Sequence, residues 1–205
     1  MRARPAMANQ SQVPATLVVI GAHRDELAFG ERVVEGLDPS EFAVLRIPRG
    51  LFGQRPRPGE VEGYRDRHHD LYAQILDCVA PGQRLMIDLH CGLDQRGLCA
   101  DVLCADLAFL DCLAAGREGR EGAAAYQLRY VRLVGDTASP DLRPRDGSDW
   151  LVAKPEIPQA VWNSAHLLYV GVEVYLRREG GGTSAEWELA RAVLRDIVSC
   201  GLDRR

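Results

Sequence analysis

No apolar run in the chain approaches the roughly 18 residues that a bilayer-crossing helix needs, and no surplus of positive charge marks it as a nucleic-acid binder. Its 25 lysines and arginines stand against 29 acids, for a formal net charge of −4. The opening MRARPAMANQSQVPAT is basic but has no apolar core of the kind a secretory signal carries. None of the six cysteines (Cys78, Cys91, Cys99, Cys104, Cys112, Cys200) forms a C-x-x-C pair, which argues against a zinc ribbon and a thioredoxin-type site. They are read as reduced thiols that pack like small apolar side chains. Internal repeats and an interdomain linker are also missing. These absences leave a cytoplasmic protein with no nucleic-acid or membrane partner. Residues 1–14 are expected to be a disordered segment and residues 15–205 one domain. Lysine is nearly absent too: Lys154 is the single one, so an anion site is expected to use arginine forks.

What is present is enough for a core. The 205 residues are 46% hydrophobic and 26% charged, ordinary values for a globular domain. Thr16–Ala22 (TLVVIGA), Phe42–Ile47, Arg84–Leu89, Gln127–Val134 and Leu167–Leu176 read as strands. Glu26–Leu37, Tyr64–Val79 and Asp101–Ala115 have helical spacing, and a last helix follows a capping Ser184. Cys91-Gly92 reads as a turn and Asp136–Pro158 as a long irregular segment. Alternating strands and helices predict an α/β fold, with one mixed, mostly parallel sheet flanked by helices.

Ligands of such folds bind at the carboxyl ends of the strands, and four reactive groups fall there. His23 and Glu26 form H-x-x-E just after the first strand. By itself the motif is weak, since Glu26 could simply be an acid at a helix start. His90 ends the strand Leu85–Leu89, and period-2 alternation puts Asp88 on its face, where the acid could orient an imidazole. An isolated histidine there would otherwise be a satisfied core residue. Glu173 is the one carboxylate in the apolar strand YVGVEVY, so it is paired with an arginine, bound to a metal, or poised as a base. Tyr169, Tyr175 and His166 flank it and read as core or rim residues. His68-His69 sits on a helix, where adjacent residues diverge, and reads as a solvated face.

GAHRDELAFG, then IDLHCGLDQRG, then VGVEVY, in that order over residues 16–176, resembles the zinc carboxypeptidase superfamily. The match is nearest to its succinylglutamate desuccinylase/aspartoacylase branch. The resemblance implies a zinc carboxypeptidase-like fold and one Zn²⁺ per chain, bound by His23, Glu26 and His90. It implies Glu173 as general base, Asp88 as an orienting neighbour, and hydrolysis of an amide in an N-acyl amino acid or short peptide. That branch usually carries an Asn-Arg pair for a substrate carboxylate, and none occurs here. Arg55 is the nearest stand-in, with Arg57 next and Arg49, Arg65 and Arg67 nearby. The branch's added C-terminal β domain is not expected either, because the chain ends about thirty residues after Glu173. The alternative from another class is a non-catalytic protein of this fold that binds a metal or small acid. A third is an α/β binding protein in which the motifs coincide by accident. Homo-oligomerisation stays open.

Overall fold

In a computed structural model of the chain, residues 13–51, 57, 59–94, 98–117, 126–135 and 151–202 are described. They form one mixed sheet of seven strands in the order β2-β1-β3-β7-β4-β5-β6. The strands are β1 (Thr16–Ile20), β2 (Phe42–Arg46), β3 (Leu85–Leu93), β4 (Cys99–Cys104), β5 (Gln127–Leu133), β6 (Leu151–Ala153) and β7 (Leu168–Leu176). Every pairing is parallel except that of β4 with β7. Strands β1, β3 and β7 are apolar on both faces because helices cover both sides, as a parallel sheet requires. This is the expected mixed, mostly parallel α/β architecture.

Helices α1 (Leu27–Val34), α3 (Leu107–Arg117) and α5 (Ser184–Leu202) cover one face. Their side chains join Val18, Ile20, Leu85, Ile87, Leu89, Val170, Val172 and Val174 in the larger core. Helices α2 (Val61–Asp77) and α4 (Gln159–Trp162) lie on the opposite face, over Leu17, Val19, Met86 and Tyr169. Among the described residues, no helix is long and apolar enough to cross a membrane.

Four local expectations change. Asp101–Cys104 belongs to strand β4, and the helix starts only at Leu107. A short apolar run has no period that separates strand from helix, and here antiparallel pairing with β7 decides. Cys91-Gly92 continues β3 rather than turning, because β7 runs alongside as far as Leu176. Within Asp136–Pro158, residues 136–150 lie outside the described set, and Leu151–Ala153 pairs with β5. Cys112 and Cys200 are joined in a disulfide, with Cα atoms 6.0 Å apart, that ties α3 to α5. The expectation of six reduced cysteines therefore fails for this pair, which two well-separated stretches bring together. Cys78, Cys91, Cys99 and Cys104 are not in disulfides. Residues 1–12 of the expected N-terminal segment lie outside the described residues.

The start of α5 also differs from expectation. Thr183, not Ser184, caps it: the Trp187 N–H donates to the Thr183 carbonyl at 3.0 Å. Glu186 reaches back three residues and accepts from the Thr183 N–H at 2.6 Å and the Thr183 hydroxyl at 2.8 Å, the carboxylate half of a capping box. Its other oxygen accepts the Arg177 N–H at 2.8 Å, locking the end of β7 to the start of α5. Glu186 is fully buried. Glu186→Ala leaves two backbone donors unsatisfied, so we expect a stability loss of about 1–3 kcal/mol. A lower urea midpoint at unchanged slope would show it; an unchanged midpoint would refute this account of the helix start.

Candidate metal centre

The site forms where β1, β3 and β7 end side by side. Parallel register pairs Ile20 with Leu89, and His90 with Glu173, so the residues following β1 and those ending β3 and β7 meet at one edge. After β1 the chain is held by the segment that follows β2. The Leu51 N–H donates to Ala22 O at 2.8 Å, and the Arg24 N–H donates to Leu51 O at 2.8 Å. Gly50 allows this bracket, because a Cβ there would lie 2.0 Å from the Gly21 carbonyl oxygen. His23 therefore leaves β1 in a fixed direction. A single 3₁₀ turn, Arg24–Glu26, then brings the Glu26 carboxylate back to within 2.9 Å of His23 Nδ1.

His90 closes the group from β3. Its Nδ1 lies 2.8 Å from the second Glu26 oxygen, and its Nε2 lies 2.9 Å from Asp88 Oδ2. Asp88 is fully buried, and the same Oδ2 accepts hydrogen bonds from the Tyr72 hydroxyl and, at 3.0 Å, the Tyr169 hydroxyl. Burial opposes a charge on Asp88, yet His90 and the two phenols outweigh it and hold the carboxyl below its ordinary range. Glu26 behaves alike: burial works against ionisation, and the facing His90 and His23 rings more than offset it. For His90, burial opposes the cation, but Asp88 and Glu26 raise its basicity well above that of an ordinary imidazole.

His23, Glu26 and His90 each offer one ligand atom, all within 4.8 Å of one another. The donor chemistry fits a divalent metal ion. Ionised carboxylates only accept, so the two Nδ1–carboxylate contacts need positive charge between their atoms. Protons can supply it, or one divalent cation can replace them. Two imidazoles and a carboxylate with an open fourth side form a donor set suited to zinc, and also to neighbouring first-row ions.

Glu173 stands beside His90 on the same face of the sheet. Burial, aided by the negative charges of Glu26 and Asp101 and opposed by His90, raises its pKa above the ordinary glutamate value. Gly92 leaves the space this carboxylate occupies: a Cβ at position 92 would lie 2.6 Å from Glu173 Oε1. Asp101 faces Glu173 across the β4–β7 pair. It is gripped by Arg129 through two bonds of 2.5 and 3.1 Å, and it accepts the Tyr175 hydroxyl at 2.8 Å.

All four expected groups line one cavity of about 450 Å³. Leu103, Leu133, Ala153 and Ile157 give its lining an apolar part. Tyr169 serves the site through Asp88, whereas Tyr175 serves Asp101 and His166 is exposed with its N–H on Ser164 Oγ. Arg55 lies outside the described residues. Arg57 is exposed, its backbone N–H bonded to Glu60, and it is not among the described residues that line the cavity. Lys154 does line it, a residue that composition singled out without assigning it a role.

His68 is the other residue missed. It is buried at 4% exposure, and only His69 keeps the expected solvated position. The signal was available: Tyr64, His68 and Tyr72 recur every four residues and form one face of α2, which all three turn toward the cavity.

No protein-family model and no curated protein matches the chain. Among solved structures it is similar to murine aminoacylase 3, as wild type and a point mutant, at 12% identity and TM-scores of 0.43 and 0.44. These alignments cover 91% of this chain but only 64% and 63% of the aminoacylase. It is also similar to the catalytic domain of CwlV, an N-acetylmuramoyl-L-alanine amidase from Bacillus (Paenibacillus) polymyxa var. colistinus. That match has 10% identity and a TM-score of 0.39 over 90% of this chain and 94% of that one. Likeness at this level identifies neither a family nor an activity for the chain.

Asp88 holds the far side of the His90 ring, so Asp88→Asn is expected to weaken metal affinity about 10–100-fold. The amide keeps an acceptor for Tyr72 and Tyr169, so the fold should persist. Competition against a chromophoric chelator, with melting followed in parallel, measures both; unchanged affinity would remove Asp88 from the site.

Proposed function

We propose that the chain is a metal-dependent hydrolase, with zinc the expected ion, acting on an amide bond of an N-acyl amino acid or short peptide. The observation that carries this reading is the convergence of His23, Glu26 and His90 beside a poised Glu173 in one cavity. A site that only bound a metal would need the first three groups; a raised carboxylate aimed into the same space is what proton transfer adds.

A divalent ion held by His23, Glu26 and His90 would supply Lewis acidity toward a carbonyl and a water. The Glu173 carboxylate accepts the proton of the attacking water and returns it to the leaving nitrogen. Asp88 keeps His90 oriented from behind, so the ring need not reorganise as charge develops. Leu103, Leu133 and Ile157 line the same cavity and suit an apolar group of the substrate. Lys154 takes the place that the missing Asn-Arg pair leaves open, pairing with a substrate carboxylate at the cavity's edge.

Metal analysis by plasma mass spectrometry should find about one divalent ion per wild-type chain and little in His90→Ala. Glu173→Gln should keep the ion while the rate of amide hydrolysis falls by about 100-fold or more. Wild type that stays empty in excess Zn²⁺ would sink the reading, and a loaded protein inert toward every acyl amino acid and peptide would make it a binding protein.

Lys154 gives a separate expectation. Lys154→Met should raise KM about tenfold or more for a substrate with a free carboxylate, with kcat little changed. Carboxamide analogues should not distinguish the variant from wild type. Equal KM values for the acid in both proteins would return the search to the arginines.

A further inference from the structure

His23 touches two groups besides the space left for a metal. Its Nδ1 faces Glu26 at 2.9 Å, and its Nε2 lies 3.3 Å from Nε2 of His68. Two ring nitrogens form a hydrogen bond only when one carries the proton and the other a lone pair. Which carries it follows from the other end of His68, whose Nδ1 lies 2.8 Å from the Tyr64 carbonyl oxygen. A carbonyl can only accept, so that proton is on Nδ1. With Nδ1–H committed to that carbonyl, the other nitrogen of the ring is the one that faces His23. In that tautomer His68 Nε2 is the lone pair and His23 Nε2–H donates to it, so Nδ1 is the nitrogen of His23 left on the Glu26 side, where a metal would take the place of a proton.

The geometry points to His68 as the positioning residue for His23, setting through the Tyr64 carbonyl which nitrogen of His23 is offered to the metal. It does for His23 what Asp88 does for His90, but from helix α2 and as a neutral acceptor rather than an anion. The edge contact of the two rings, with centroids 5.6 Å apart at 60°, and the Tyr64 ring 4.0 Å from His68 hold the pair in this orientation. Because the helix supplies both the ring and the carbonyl four residues earlier, the arrangement needs no side chain beyond α2 to set the tautomer.

This inference rests on the metal-site reading above, and two variants separate them. His68→Leu removes both donor and acceptor, while His68→Gln keeps one of each, with an amide able to donate to Tyr64 O and accept from His23. We expect His68→Leu to weaken Zn²⁺ binding about 10–100-fold in chelator competition, and His68→Gln to recover most of the loss. In ¹⁵N-labelled wild type, a scalar coupling across the N–H···N hydrogen bond should join the two Nε2 nuclei and vanish in both variants. Wild-type affinity in His68→Leu, or no coupling in wild type, would overturn the positioning role while leaving the metal site intact. Equal, near-complete loss of metal in both variants would make His68 a ligand instead and overturn the role as well. Failure of wild type to take up Zn²⁺ would sink the metal-site reading itself, and the inference with it.

Discussion

Everything at the site depends on the parallel register of β1, β3 and β7. Side chains alternate along a strand, so a one-residue slip of β3 would send Asp88 and His90 to the other face. The apolar partners on that face forbid it. Ile87 and Leu89 are packed with Val170 and Val172 in the larger core, under α1 and α5. Fully burying an apolar side chain is worth about 1.5–3 kcal/mol, so the slip would forfeit several such terms while burying a carboxylate and an imidazole among aliphatics. The core thus fixes the register, and the register delivers His90 beside Glu173 and the end of β1 beside both.

Buried charge is the second constraint, and it is met by continuity. Starting from the interior, Tyr72 and Tyr169 donate to Asp88, Asp88 faces His90, and His90 faces Glu26. Glu26 then faces His23, and His23 meets His68, whose chain of contacts ends at a backbone carbonyl. Acids and imidazoles alternate between the phenols and His68, so no like charges adjoin in the chain. Removing one member leaves its neighbours buried and unpaired, which is more harmful than the absence of the whole series. That network holds His23, Glu26 and His90 in place through contacts within the fold itself. Their directions come from strand ends, a 3₁₀ turn and a helix face, not from the ion.

The sheet was legible where single strands are long and apolar on both faces: β1, β3 and β7 announce themselves, and the reactive groups at their ends follow from the α/β pattern. The face shared by Asp88 and His90 came from period 2 alone and matches the contacts found. What escaped depended on partners distant in sequence. Asp101–Cys104 has no period of its own, and pairing with β7 on one side and β5 on the other makes it a strand. His68 reads as solvated because adjacent helix positions diverge, yet its four-residue recurrence with Tyr64 and Tyr72 is there to be read. Cys112 and Cys200 are 88 residues apart, and no spacing rule joins them. Lys154 was conspicuous as the single lysine, but its place at the cavity depends on β6 pairing with β5, a contact between segments that no local pattern reveals.

Two carboxylates, Asp101 and Glu173, face each other across the antiparallel pair, and which of them can act as a base is decided by their surroundings. Like charges in direct opposition destabilise a sheet unless one is compensated. Arg129 forks onto Asp101, stacks its guanidinium 4.9 Å from the Tyr175 ring centre, and leaves the Tyr175 hydroxyl to complete the clamp. Three hydrogen bonds from Arg129 and Tyr175 thus hold the Asp101 carboxylate in place. Glu173 is turned into the cavity instead, in the space that Gly92 leaves, where burial and the neighbouring acids favour a proton on it. The clamped acid keeps the strand pair together by holding its charge toward β5, and the unclamped one can take and return a proton. Arg129 is not among the described residues that line the cavity, yet it bears on Glu173: it pairs with the Asp101 charge that itself favours a proton on Glu173.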